Sequence, residues 1–397
     1  MKKEILLCWW VWVSDIFTLL LFVFTIAIML IFARKNLWLA VFVAGFLLAT
    51  SANGIDTIAL ALSKALSIGN ILISLALLQI PVMGKLLEKP LTTSISRYDR
   101  RIGGALGPAM FGLLSIPGGA VLSCPLVESI IGEDRSAEEK VALNIWFRHI
   151  LFLVYPLSTS LIVAVMLSQL NIVGAMIYMS PLLIAGLVIG YLYYLRGLRG
   201  KGSSGEKLHI GALIIVILAP TIQIVLDMLG VGMEVGAFIG VTIAMILTMI
   251  YTSVGPREVA LIAKRAKVWS FALIYISIMF YGYVFAQTPI SGIISSFNPP
   301  RLLLAVILPF LIGFAVGRIQ LTLTIMIPLY IGLFGAMSYP VLATMYTSTL
   351  AGYLMSPAHP CLVLTVEYFK ADLYSSIKKI LVPSVILTLI STTYLLL

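Results

Sequence analysis

The chain has 397 residues, of which 61% are hydrophobic and 11% charged, and its formal net charge is +10. A soluble globule carries about 45–50% apolar and about 25% charged residues, because it must coat itself in polar groups; this composition excludes an ordinary soluble domain and fits a chain solvated by lipid. The basic excess sits in short segments between apolar runs, with no basic stripe interleaved with aromatics, which argues against nucleic acid as a partner.

The apolar runs are continuous, whereas barrel strands alternate, so the expected elements are helices of about 20 residues each. The first run, 14–33, follows Met1-Lys2-Lys3, a start that imitates a secretory leader. The run continues through Phe32, too long for a leader core, and no small-residue cleavage site follows, so a retained helix is expected. Spans at 37–53 and 67–84 come next, then the basic segment 85–101. The stretch 103–132 is apolar but interrupted by Pro117-Gly118-Gly119. Spans 143–168 and 171–195 follow. The polar, glycine-rich segment 196–209 reads as a flexible linker near mid-chain. Beyond it lie spans 210–229, 235–252, 268–287, 302–317 and 320–337, the last two parted only by Gly317-Arg318. A second interrupted stretch, 341–369, carries Ser356-Pro357-Ala358-His359-Pro360, and 380–397 closes the chain.

Loop charge orients these spans. Basic residues dominate 85–101 (Lys85, Lys89, Arg97, Arg100, Arg101), 196–208 (Arg196, Arg199, Lys201, Lys207) and 254–267 (Arg257, Lys264, Arg265, Lys267). All three should be cytoplasmic. Stretch 103–132 then enters and leaves by that face and 341–369 by the opposite one, the pattern of re-entrant hairpins. The expected fold is an all-α integral membrane protein of about 11 transmembrane helices plus two re-entrant hairpins in two inverted-topology halves. Those halves are 1–200, with hairpin 103–132, and 210–397, with hairpin 341–369.

A broken helix leaves N–H groups at one new end and C=O groups at the other, which lipid cannot satisfy. Such breaks either kink a packed helix or line a binding site, where N-termini favour anions. On the second reading Ser115, Pro117, Gly118, Gly119, Ser123, Ser356, Pro357 and His359 are candidate substrate-binding residues. Ser158 and Thr159, after Pro156, either line the same cavity or pair with carbonyls freed by the kink. His359, between two prolines, is also a candidate proton relay or a hydrogen-bonded structural residue. Arg148-His149 are either snorkelling groups or a counter-charge for an anion. Arg318 is a short cytoplasmic turn if 302–337 is two spans, and an intramembrane charge otherwise. Glu128 and Glu367 could couple protons, although both lie near hairpin ends, where a surface position is expected. Cys8, Cys124 and Cys361 form no CxxC, and His149, His209 and His359 form no HExxH, so no metal site, cofactor or enzymatic activity is expected.

Ser115-Ile116-Pro117-Gly118-Gly119-Ala120 and Ser356-Pro357-Ala358-His359-Pro360-Cys361-Leu362 resemble the two hairpin signatures of a membrane family called domain of unknown function 401. That family is grouped in the ion-transporter superfamily with citrate, gluconate, dicarboxylate and arsenite permeases. The resemblance spans nearly the whole chain in length, segment count and hairpin placement. It implies inverted halves, two hairpins, a homodimer and an anionic substrate. Sodium-coupled dicarboxylate members carry Ser-Asn-Thr at their tips, and neither tip here does, which puts sodium coupling and dicarboxylate specificity in doubt. The expected activity is a secondary transporter of a small organic or inorganic anion in the cell membrane, coupled to H+ rather than Na+. A channel or membrane partner subunit would show a pore-lining charge ring or repeated filter, and an intramembrane enzyme a nucleophile–base cluster.

Overall fold

The computed structural model describes residues 2–32, 35–52, 54–95, 99–113, 119–198, 200 and 209–396, and among these every regular element is helical. Six helices are long and apolar enough to cross a membrane: Val13–Phe32, Ile68–Ser94, Ile172–Leu195, Ile210–Met228, Met233–Thr252 and Leu373–Leu396. A seventh arises if Pro256–Arg265 and Trp269–Phe285, bent at 59°, form one span. The chain is a multi-pass helical membrane protein.

In chain order, α1 (Lys2–Phe32), α2 (Leu37–Ala49), α3 (Ile55–Ala65) and α4 (Ile68–Ile95) precede a packed pair, α5 (Arg100–Leu113) and α6 (Gly119–Ile131). Then come α7 (Ala137–Ile150), α8 (Thr159–Ser168) and α9 (Ile172–Gly190), which runs on into a π turn at Tyr191–Leu195. The second part of the chain holds α10 (Ile210–Met228), α11 (Met233–Thr252), α12 (Pro256–Arg265), α13 (Trp269–Phe285) and the short α14 (Ile290–Ser295). Next are α15 (Leu308–Val316), α16 (Ile319–Phe334), α17 (Tyr339–Leu354), α18 (Pro360–Phe369) and α19 (Leu373–Thr392).

The helix starts follow local chemistry. Asn171 caps α9 by accepting from the amides of Val173 (2.9 Å) and Gly174 (3.1 Å). Ser136 and Glu139 form a reciprocal capping box at the start of α7. Asp372 caps α19, accepting from the Ser375 amide at 2.8 Å. Hydrogen bonds from Ser375, the hydroxyl first and then the backbone, hold the Asp372 carboxyl below its ordinary range. A carboxyl depressed on folding adds stability above its unfolded pKa and loses it as pH falls through the lower folded value. Thermal denaturation in detergent on acidification should therefore be less steep for Asp372→Asn than for the unmodified protein. Asp372→Ala should also be less stable at neutral pH. Identical acid profiles for all three would contradict this cap.

Packing partners recur in exchanged form along the chain. α5 lies on α7, and α15 on α17; α6 lies on α18, and α16 on α8. α9 meets α17 while α19 meets α7, and α2 and α3 pack on α13 while α11 and α12 pack on α4. Two bundles result, α1–α4 with α10–α13 and α5–α9 with α15–α19, which meet where α13 runs against α8 and α16. Glycines allow the closest approaches: a Cβ on Gly112 would collide with the Arg148 carbonyl, and one on Gly352 with the Phe310 carbonyl. Without a hydrophobic drive between helices in lipid, such small-residue contacts are what brings backbones together.

Several sequence-based expectations need correction. Segment 85–101 is not a loop throughout, because α4 stays helical to Ile95. Segment 254–267 is largely α12, a basic amphipathic helix with no buried residue. Span 143–168 is broken at residues 151–158, where Pro156 has no amide to continue the ladder. Stretch 341–369 is not a hairpin: α17 is drawn onto α15, α18 onto α6 and α7, and the two do not pack side by side. The pair that does fold back in this part of the chain is α15 with α16. Its turn is Gly317, at φ +65°, followed by Arg318 in an extended conformation.

Candidate functional site

The site forms where three interruptions come together: the 317–318 turn, the 355–359 break and the C-terminal end of α7. Pro360 opens α18 at a position that needs no amide, and the break before it is held by local bonds. The Ser356 amide donates to the Tyr353 carbonyl (3.1 Å), the His359 amide to the Ser356 carbonyl (3.0 Å) and the Ala358 amide to the Ser356 hydroxyl (3.1 Å). The 317–318 turn presses on this break. A Cβ on Gly317 would lie 2.6 Å from the Ala358 carbonyl carbon and 2.7 Å from the His359 nitrogen.

His149, in the last turn of α7, and His359 lie edge to face with ring centroids 4.8 Å apart, and both are essentially sealed from solvent (2% and 0% exposed). The Tyr353 ring covers His359 at 3.8 Å. His149 Nδ1 lies 2.8 Å from the Ile145 carbonyl, which can only accept, so Nδ1 carries the proton. Nε2 is then an acceptor, and the Tyr353 hydroxyl donates to it at 3.3 Å. Neither ring nitrogen of His359 reaches a partner at hydrogen-bond geometry. Arg148 (4% exposed) and Arg318 (half-buried) act electrostatically on His359, and no carboxylate is among the groups acting on His149 or Arg318. The cluster is therefore basic and offers mainly donors.

A buried polar node beside it joins three helices. Asn144 on α7 accepts from the Ser123 hydroxyl of α6 (2.7 Å). It donates to the Ala120 carbonyl (3.3 Å) and to Thr365 Oγ1 of α18 (3.2 Å). Replacing Asn144 with Leu removes these bonds but leaves Ser123 and Thr365 their own backbone acceptors, Ala120 and Cys361. The expected cost is about 1–2 kcal/mol. Asn144→Ala, which adds a void, should cost about 2–4 kcal/mol. Thermal denaturation in detergent ranks the two, and equal stability would contradict the node.

A second chain of bonds ties the two breaks together. The Tyr346 hydroxyl donates to the Phe152 carbonyl at 3.0 Å. Its one proton being used, it accepts from Ser160 (2.7 Å), and Ser160 from Ser158 (2.7 Å).

The residues singled out from sequence fall into distinct places. Ser356 and His359 are buried in the cluster, and Arg318 stands beside it, so its turn is packed against the 355–359 break rather than being a free cytoplasmic loop. Pro357 is exposed. Ser158 is bound within the Tyr346 chain, Thr159 is half-buried at the start of α8, and Ser123 belongs to the Asn144 node. Ser115, Pro117 and Gly118 lie outside the described residues, and Gly119 opens α6. Glu128, which accepts from the Tyr368 hydroxyl at 3.1 Å, and Glu367 are both exposed and lack the burial that a coupling role requires. Sequence reasoning missed Tyr353, Asn144 and Cys361 as members of this region. Their one signal was a polar or reactive group within an apolar run.

A family model described as "Protein of unknown function (DUF401)" matches residues 16–397 of the chain. A search of curated proteins returns no match.

Proposed function

Because the chain belongs to the DUF401 family, whose function is unknown, we propose from its own site that it is a secondary transporter of a small anion. The observation that carries this reading is the sealed cluster of Arg148, His149, Arg318 and His359, set among helix breaks, with no carboxylate acting on His149 or Arg318. Buried positive charge at interrupted helices is costly without an anion to meet it, and α18, which starts beside the cluster, directs its amide end there.

The exchanged packing supports two inverted repeats, 1–200 and 210–397. In this reading each half crosses the membrane five times: α1, α2, α4, broken α7–α8 and α9, then α10, α11, α13, broken α17–α18 and α19. An odd number of crossings reverses the second half relative to the first. The re-entrant pairs are then α5–α6 and α15–α16. Contacts between connecting segments agree with this layout. On one face the His209 amide donates to the Ser94 hydroxyl, Arg101 donates to the Leu198 carbonyl, and Lys379 pairs with Glu139 at 3.3 Å. On the other, Asn171 donates to Asp227 at 2.9 Å and the Tyr339 hydroxyl accepts from the Asn171 amide. The first face gathers the basic segments, as the positive-inside rule requires of the cytoplasmic side.

The α5–α9 and α15–α19 bundle carries the site. In this mechanism it moves against α1–α4 and α10–α13 to expose the site alternately, in the manner of an elevator. Paired histidines that accept a proton as the anion enters would couple transport to H+, and the protein would work in the cell membrane, as a homodimer if it follows the superfamily it resembles. The test is thermal stabilisation of the purified protein by a panel of organic and inorganic anions, with and without sodium. Stabilisation by a subset of anions, strengthened at lower pH and indifferent to sodium, is expected. No response to any anion, where a control transporter responds, would overturn the proposal.

A further inference from the structure

His149, His359 and Cys361 come from three separate places, the end of α7, the 355–359 break and the first turn of α18. Their ligand atoms nevertheless all lie within 4.8 Å of one another. Two features go beyond proximity. His149 gives its Nδ1 proton to the Ile145 carbonyl at 2.8 Å, which fixes the ring and presents Nε2 as a lone pair. That is how a metal-bound imidazole is ordinarily held. His359 is fully buried, with neither ring nitrogen at hydrogen-bond geometry to any described group. A buried polar atom left so costs about 1–3 kcal/mol, a standing cost that a ligand removes. Cys361 is in no disulfide.

We propose that His149, His359 and Cys361 form a three-coordinate site for one soft monovalent d10 cation of the Cu(I) type. Ligand chemistry selects softness: one thiolate and two imidazoles suit Cu(I) or zinc, whereas calcium and magnesium need oxygen donors. Charge selects valence. The thiolate with two neutral imidazoles carries a single negative charge, which a monovalent ion cancels. A divalent ion would leave a net positive charge facing Arg148 and Arg318, both of which act on His359. Binding replaces the thiol proton: Cys361 S–H and the cation give the S–metal bond, the proton leaves to solvent, and nothing is oxidised or reduced. The metal displaces the 3.3 Å bond from Tyr353 to His149 Nε2 and ties α7 to α18 across the site. A loaded protein should therefore bind anions more weakly.

The test uses full-length purified protein in detergent with Cys8→Ser and Cys124→Ser, so that Cys361 is the remaining thiol, titrated anaerobically with Cu(I) against a chromophoric chelator. One Cu(I) per chain is expected, with X-ray absorption showing one sulfur and two imidazole nitrogens around the metal. His359→Ala and His149→Ala should each weaken binding by about tenfold or more, and Cys361→Ser should weaken it further. A sulfur-only coordination sphere, affinity unchanged by loss of either histidine, or no retained copper would overturn the site. Zinc held more tightly than Cu(I) would overturn the monovalent assignment. The coordination measurement needs no site variant, so it stands even if a substituted protein does not fold. Metal binding is read without any anion, so its failure is separable from failure of the transport reading.

Discussion

Gly317→Ala should destabilise the protein by about 2–6 kcal/mol and abolish anion-dependent stabilisation. Two costs add. Gly317 sits at φ +65°, which an alanine adopts only with strain of about 1–3 kcal/mol. Its new Cβ would also lie 2.6–2.8 Å from backbone atoms of Ala358 and His359, which no side-chain rotation can relieve. Moving the 355–359 break to make room adds about 1–3 kcal/mol of overpacking and shifts His359 away from His149. Gly230 separates the two effects: it has φ +80° and nothing within 4 Å of an added Cβ. Gly230→Ala should therefore carry only the conformational cost and leave anion stabilisation intact. Thermal denaturation with and without anion reads both quantities. Equal effects from the two substitutions would contradict the contact between the 317–318 turn and the 355–359 break.

Arg318→Gln should weaken anion binding by about ten- to a hundredfold while changing the stability of the anion-free protein little. A hydrogen bond to a charged group is worth about 1.5–3 kcal/mol, which sets that range. Arg318 reaches the site from a turn and is half-buried, so its loss leaves no large void. Arg318→Lys should recover part of the affinity, since it keeps the charge but not the planar fork. If Arg318 only closes the α15–α16 turn, Arg318→Gln would lower stability and leave anion affinity unchanged, the reverse of this expectation. Titration of the stabilising anion by isothermal calorimetry distinguishes the two.

Much of the helical layout was legible because lipid solvation imposes long apolar runs, and these need no tertiary information. Breaks at 114–118, 317–318 and 355–359 were also legible as Pro or Gly punctuation. What punctuation cannot say is whether the chain folds back or continues after it. At 355–359 the answer depends on distant partners: α17 approaches α15 through Gly313 and Gly352, and α18 reaches α7 through the Asn144–Thr365 bond. The 317–318 turn held too few polar residues to suggest a hairpin tip, so the expected hairpin was placed one element too late. The amphipathic helix α12 was read as a loop because basic residues dominate its composition, while its apolar residues recur only at helical spacing. The juxtaposition of His149 with His359 and Cys361 had no signature at all, because spacing rules register ligands close in sequence, and these come from opposite halves of the chain. His359 alone was identifiable, from its place between two prolines, and it turned out to be the centre of the cluster.

The most direct measurement is counterflow in proteoliposomes, using a labelled anion chosen from those that stabilise the purified protein. Uptake should require the unlabelled anion inside, rise with an inward proton gradient, remain unchanged when sodium is replaced by choline, and vanish in Arg318→Gln. Absence of uptake by the unmodified protein, with correct insertion and an active control transporter in the same lipid, would contradict a transport role for this site.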